Sequence, residues 1–274
     1  IWRFQDVPLL DEARALLGYR PGKRDEDAVR TYGHICIDEA QDLSPMELRT
    51  VARRSLNGSM TIVGDIAQAT GAWAHDSWDE IIGHLPTRRG VSRAELTVGY
   101  RIPEENVELA ARVLRVAAPQ LTPPRSVRTS GASPIIAQAR AGALLDEVAR
   151  TTASERDAIE PGSLAVIVPT TMVDAVSARL SEAGIAHGQA TRQGLNESVT
   201  VVAVSMVKGL ELDASVVVEP AAIVEEEAQG LRALYVALTR STKRLAIVHE
   251  APLPAFLEQP TRLDQLTLDI GEAV

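Results

Sequence analysis

The sequence predicts an α/β protein built on parallel sheets flanked by helices, and three observations carry that prediction. Short apolar runs end in polar residues: His34-Ile35-Cys36-Ile37 before Asp38-Glu39, and Met60-Thr61-Ile62-Val63 before Gly64-Asp65. Between them a helix start is written in Ser44-Pro45-Met46-Glu47. Ser44 suits the cap, Pro45 the first helical position, and Glu47 completes a capping box. The same alternation of strand and helix continues down the chain, as in a parallel sheet with crossover helices.

In order, Val7, Leu9, Leu10, Ala13, Leu16 and Leu17 recur at helical spacing before Gly18. A second unit begins near Leu96, with a helix from Asn106 to Ala118 and a loop from Pro119 to Pro134 rich in Pro, Ser and Thr. Strands are expected at Pro134–Ala137, Leu164–Val168, Val199–Val204, Ser215–Val218 and Leu245–His249, and helices at Ala141–Thr151, Val173–Ala183 and Gln229–Leu238. This gives two βα-rich units, 1–95 and 96–250, and a peripheral tail, 251–274.

Composition narrows the class. The chain has 274 residues, 45% of them hydrophobic and 24% charged, which suits a folded globular protein. With aromatics at 3%, its core must rest on Ala, Val, Leu and Ile. No run of about 18 apolar residues provides a membrane helix, and Ile1-Trp2-Arg3-Phe4 does not open a secretory signal. The lone cysteine, Cys36, cannot form an internal disulfide and is expected as a small core hydrophobe. A reducing cytoplasmic location fits. The net charge of −9 argues against a broad phosphate-binding surface.

Five segments carry candidate chemistry. Asp38-Glu39-Ala40-Gln41-Asp42 places two adjacent carboxylates at a strand's carboxyl end, where parallel sheets bind ligands. One carboxylate can hold Mg²⁺ while its neighbour orients an attacking water; a polar strand end with a helix cap is the plainer alternative. Gly64-Asp65-Ile66-Ala67-Gln68 offers an amide able to reach a terminal phosphate, although Gly-Asp is also common turn chemistry. Gly99-Tyr100-Arg101-Ile102-Pro103, Lys208-Gly209-Leu210-Glu211 and Leu234-Tyr235-Val236-Ala237-Leu238-Thr239-Arg240 complete the set. Arg240, with Lys243 and Arg244 beyond it, can stabilise a transferring phosphoryl group or simply solvate a helix C-terminus.

In this order the five segments resemble the C-terminal motor portion of superfamily 1 helicases of the UvrD/Rep kind, over roughly residues 34–249. The resemblance implies RecA-like domains of the P-loop NTPase type, with ATP and Mg²⁺ in the cleft between them. On it, Asp38 matches the Mg²⁺ carboxylate, Glu39 the catalytic carboxylate and Gln68 the γ-phosphate sensor. Arg101 and Arg240 match the arginines that face the γ-phosphate. Glu211, with Gly209 before it, matches a nucleotide contact, and Gln41 and Asp65 match supporting positions.

Three departures qualify the match. No G-x-x-x-x-G-K-[ST] loop occurs, since Gly22-Lys23 runs on into Arg24-Asp25. The chain is therefore expected to begin inside the first motor domain, to need an N-terminal remainder, and to be inactive towards ATP alone. Arg101 and Lys208 are 107 positions apart, and fourteen residues separate Gly184 from Val199, so the large insertion of DNA-unwinding members is essentially missing. On the nucleic-acid side, Gly71 stands where an aromatic residue is usual, leaving Trp73 as the stacking candidate for single-stranded DNA or RNA. Ala203-Val204-Ser205 replaces the usual Thr-x-His, leaving Ser205.

Those departures, with Asp6-Val7-Pro8-Leu9-Leu10-Asp11-Glu12-Ala13 and Leu121-Thr122-Pro123-Pro124-Arg125-Ser126-Val127-Arg128, resemble the HelD group of helicase-like ATPases, which act on bacterial RNA polymerase. The implied function is polymerase remodelling driven by ATP. A UvrD/Rep-type DNA helicase fragment is the near alternative, and a non-enzymatic binding module derived from a motor the more distant one.

Overall fold

In a computed structural model, which describes residues 2–22, 28–87, 90–129, 132–190 and 197–258, the chain divides into two compact units, 1–96 and 97–274. Lys23, Arg24 and Asp25, and most of the tail expected over 251–274, lie outside the described residues. The fold class is the α/β one that the sequence predicts.

In the first unit β1 (Ile35–Ile37) pairs in parallel with β2 (Met60–Ile62), Ile35 opposite Met60 and Ile37 opposite Ile62. Parallel neighbours need a crossover, and α2 (Pro45–Arg54) supplies it. Its capping box forms: Ser44 Oγ accepts from the Glu47 amide at 3.2 Å, and the Glu47 carboxylate accepts from the Ser44 amide at 2.8 Å. Ile37, Ala40, Leu48, Ile66, Ala67, Ala69 and Ile81 are buried, the last from α3 (Trp78–Gly83). Cys36 corrects an expectation, for it is exposed. Strand residues alternate in direction, and Cys36 points away from the face that carries buried Ile37.

Helix α1 (Val7–Leu17) forms with its apolar stripe turned outward. Leu9, Leu10, Leu16 and Leu17 are exposed, while Pro8, Asp11 and Glu12 face α2. The cause is the partner surface, because α2 offers arginines. Asp11 pairs with Arg53 at 2.9 Å and Arg54 at 2.6 Å, and Glu12 with Arg49 at 2.6 Å and with Arg53. Hydrogen bonding from Arg54 holds the Asp11 carboxyl below the ordinary aspartate range.

The second unit carries β3 (Val98–Gly99), α4 (Glu104–Ala117) and β4 (Arg125–Ser126), followed by β5 (Ile135–Gln138), α5 (Leu144–Ile159), β6 (Leu164–Val168), α6 (Val173–Glu182) and β7 (Gly188–Gln189). Then come β8 (Val199–Ala203), β9 (Leu212–Val218), α7 (Pro220–Glu226), α8 (Gly230–Leu238) and β10 (Ser241–His249). Six strands form a parallel sheet in the order β5-β10-β9-β6-β8-β7, while β3 and β4 pair apart from it.

That order fixes where the helices lie. The steps β5 to β6 and β6 to β8 run one way across the sheet, and β9 to β10 runs back. With right-handed crossovers, α5 and α6 fall on one face and α7 and α8 on the other. The side chains agree. Val148, Val176 and Leu180 from α5 and α6 join Val166, Val168, Val201, Val216 and Val248 in one core cluster. Ile167, Val217 and Ile247 point the other way and are fully buried, as are Leu234 and Leu238 of α8. Each such side chain contributes about 1.5–3 kcal/mol of apolar burial, and β6 and β8 are buried at every residue. Near-continuous Val, Ile and Leu runs suit strands covered on both faces. Among the described residues no helix is long and apolar enough to cross a membrane.

Candidate functional site

The first unit gathers its candidates at the carboxyl ends of β1 and β2. Asp38 and Glu39 follow β1, and both are exposed. The Glu39 amide donates to Asp38 Oδ1 at 2.8 Å. Glu39 has φ +52°, in the left-handed region that costs a side-chain-bearing residue about 1–3 kcal/mol. Its neighbours hold it there. The Asp42 amide donates to the Glu39 carbonyl at 3.1 Å, the Ala40 amide donates to the Val63 carbonyl at 3.1 Å, and the Gln41 amide Nε2 donates to Glu39 Oε2 at 2.5 Å.

Gln41 joins the two motifs of this unit. It is fully buried, and its Oε1 accepts from the Asp65 backbone amide at 3.0 Å while its Nε2 reaches Glu39. Room for it depends on Gly64, where a Cβ atom would stand 2.3 Å from Gln41 Oε1. Asp65 in turn accepts from the Ala67 amide at 2.9 Å and from Gln68 Nε2 at 2.8 Å. Glu39, Gln41, Asp65 and Gln68 thus form one connected hydrogen-bond chain across the two strand ends. Trp73 lies beyond it with 64% of its surface exposed.

The second unit places Gly209, Glu211 and Arg240 ahead of β9 and β10, at the amino ends of those strands. Leu212 lies opposite Ser241, and the Leu212 amide donates to the Arg240 carbonyl at 3.3 Å, so Glu211 and Arg240 precede neighbouring strands side by side. Arg101, from the loop after β3, forms an ion pair with Glu211. Three segments far apart in sequence therefore meet at one sheet end. Gly209 turns the chain into β9 at φ +78°, which only glycine adopts without strain.

The Arg101 loop is tied down from both sides. The Arg128 guanidinium donates to the Arg101 carbonyl at 3.1 Å, Ser126 Oγ donates to the Ile102 carbonyl at 2.6 Å, and the Glu104 amide donates to the Arg128 carbonyl at 2.7 Å. On the far side, buried Asn106 donates to Ser241 Oγ at 3.2 Å. Reading the sequence for charged motifs missed Ser126, Arg128 and Asn106 as supports, because nothing local marks a residue whose partner lies 24 to 135 positions away.

Nearby cations divide by partner. Lys243 pairs with Asp213 at 2.8 Å, and Arg244 grips buried Glu155 through Nε and a terminal nitrogen at 2.7 and 2.8 Å. Both are committed to holding the sheet end together. Arg240 caps its own helix, donating through Nε to the Val236 carbonyl at 3.0 Å and through a terminal nitrogen to Thr239 Oγ1 at 3.2 Å. Ser205 is exposed, its hydroxyl 3.5 Å from that of Thr170.

Among the described residues no three His, Cys, Asp or Glu side chains gather as a metal cage. Mg²⁺ does not require one, since it keeps several waters and takes one or two carboxylates plus phosphate oxygens. The exposed oxygen donors of Asp38 and Glu39 fit that ion.

No protein-family model matches the chain, and no curated protein matches it. Among solved structures, the C-terminal domain of a possible DNA helicase from Lactobacillus plantarum WCFS1 is similar at 20% identity and a TM-score of 0.45, over 58% of this chain and 92% of that one. An arterivirus nonstructural protein 10, a helicase in complex with DNA, is similar at 14% identity and a TM-score of 0.41. There the match spans 81% of this chain but only 40% of the viral protein. Neither likeness assigns a role to any residue here.

Proposed function

We propose that this chain is part of an ATP-driven motor of the superfamily 1 helicase kind, whose task is HelD-like remodelling of bacterial RNA polymerase. The observation that supports it most is the meeting of Arg101, Glu211 and Arg240 at one sheet end. Each comes from a different segment of the motif series, and no local rule requires them to be neighbours. On this reading the motif residues of each unit serve ATP chemistry. Asp38 holds Mg²⁺, which when bound neutralises phosphate charge. Glu39 orients and deprotonates the attacking water, and Gln68 senses the terminal phosphate. Arg101 and Arg240 stabilise charge that develops on it. Gln41, Asp65 and Gly209 hold these groups in place, and Glu211 lies against the nucleotide.

Because no phosphate loop occurs in its sequence, the chain alone is expected to turn over no ATP. The longer polypeptide that supplies the loop is expected to do so, to lose turnover on Glu39→Gln, and to bind RNA polymerase. ATP turnover by this chain, abolished by Glu39→Gln, would overturn the first expectation, and failure of the longer protein to bind polymerase would overturn the second.

Exposed Trp73 favours a second reading, a motor acting on single-stranded DNA or RNA, since a bare indole is a stacking platform. Trp73→Ala then weakens single-strand binding and leaves folding unchanged. Polymerase binding without any effect of Trp73→Ala on nucleic acid favours the first reading.

A further inference from the structure

Asn106 sits in the first turn of α4, five residues after Arg101, and is fully buried. Its partner Ser241, equally buried, follows Arg240 and opens β10. One hydrogen bond therefore joins the helix that follows the Arg101 loop to the strand start beside Arg240. Ser241 is also the residue paired with Leu212, directly after Glu211. The Arg128 and Ser126 contacts fix the outer side of the Arg101 loop, and Asn106 fixes its inner side.

The other end of the Asn106 amide, Oδ1, is buried and has no hydrogen-bond partner. Turning the amide over only exchanges which end is left bare. A half-satisfied buried amide costs stability that a leucine of similar volume would not. Packing thus gives no reason for an asparagine here, whereas its position between the two arginine-bearing segments does.

We propose that Asn106 is a positioning residue that, through Ser241, sets the separation of the Arg101 and Arg240 guanidinium groups for an incoming phosphate. The inference rests on the reading of those two arginines as phosphate-binding groups. Charges held on a fixed frame bind an anion better than charges that must be ordered on binding. Without the hydrogen bond the first turn of α4 can shift against β10, and that ordering cost returns.

The test measures binding of inorganic triphosphate to the chain by calorimetry at low ionic strength, with thermal melting alongside. Asn106→Leu is expected to weaken binding about three- to tenfold, the worth of one hydrogen bond, with the melting temperature unchanged or raised. In an Arg101→Ala background the same substitution is expected to have no further effect. Ser241→Ala removes the same bond with a smaller change and is expected to weaken binding likewise; it decides the matter if Asn106→Leu does not fold. Unchanged binding in these variants, with Arg101→Ala still weakening it, overturns the positioning role. So does an equal loss in both backgrounds, which marks a merely structural residue. If Arg101→Ala itself changes nothing, the phosphate reading falls and the inference falls with it.

Discussion

Arg101 and Glu211 form an ion pair that joins the loop after β3 to the start of β9, with 64% and 58% of their side chains in water. The arginine expected to meet a phosphate is thus already engaged by a carboxylate, and an incoming phosphate must compete with it. The competition is mild, because exposed ion pairs are worth only about 0.2–1 kcal/mol and are screened by salt.

Glu211→Gln therefore tests two roles of opposite sign. If the carboxylate mainly occupies Arg101, the substitution strengthens triphosphate binding about two- to fivefold at low ionic strength and has little effect at high salt. If Glu211 mainly contacts the nucleotide, the substitution leaves triphosphate unaffected and weakens ATP. The proposed nucleotide contact predicts the second outcome, and calorimetry with both ligands separates them.

Gly64 and Gln41 form a pair in which each constrains the other. Gly64→Ala brings a Cβ to 2.3 Å from Gln41 Oε1 and must displace an amide that bonds both Glu39 and Asp65. A loss of about 1–3 kcal/mol from the first unit is expected, as for a buried hydrogen-bond network broken by overpacking. Gln41→Ala costs a similar amount by leaving the Asp65 amide bare. The double variant should lose clearly less than the sum, because the clash and the missing bonds involve the same side chain. Denaturant melts of the four proteins check this, and strict additivity would refute the coupling.

Asp213 gives the second unit an acid-sensitive fastening. Hydrogen bonding from Lys243 and from the Ser163 backbone holds its carboxyl below the ordinary value of 3.8. A depressed folded-state pKa means stability that is present above the unfolded pKa and lost as pH falls through the folded one. Asp213→Asn is thus expected to lower stability at neutral pH and to flatten the acid limb of the stability profile below about pH 4. Melting curves from pH 2 to 7 show whether the two profiles converge in acid. Profiles that stay parallel would exclude the linkage.

Much of the fold was legible in local chemistry. The Ser44-Pro45-Met46-Glu47 start forms its capping box, and Leu164–Val168 is a strand at both predicted ends. Elsewhere the boundaries moved: α5 runs on to Ile159, β9 begins at Leu212 and β10 at Ser241. Those extensions contain polar residues such as Asp213 and Lys243, which hydropathy excludes from a buried strand until each finds the other across the sheet. Cys36, expected in the core, is exposed, and the helix that the leucines of α1 predict forms with them turned outward. Periodicity shows that an element has an apolar side, but only its neighbour decides whether that side is covered.

The candidate site divides along the same line. Asp38, Glu39, Gln68, Arg101, Glu211 and Arg240 are candidates on the sequence alone, since residue type and order at strand and helix ends are local properties. Tertiary structure decided which charge meets which: Arg101 takes Glu211, Lys243 takes Asp213, Arg244 takes Glu155, and Asn106 reaches Ser241. The fold brings Asn106 against Ser241, 135 positions away. The register of the parallel strands is set by packing on both faces of the sheet, and no short stretch of sequence carries that information.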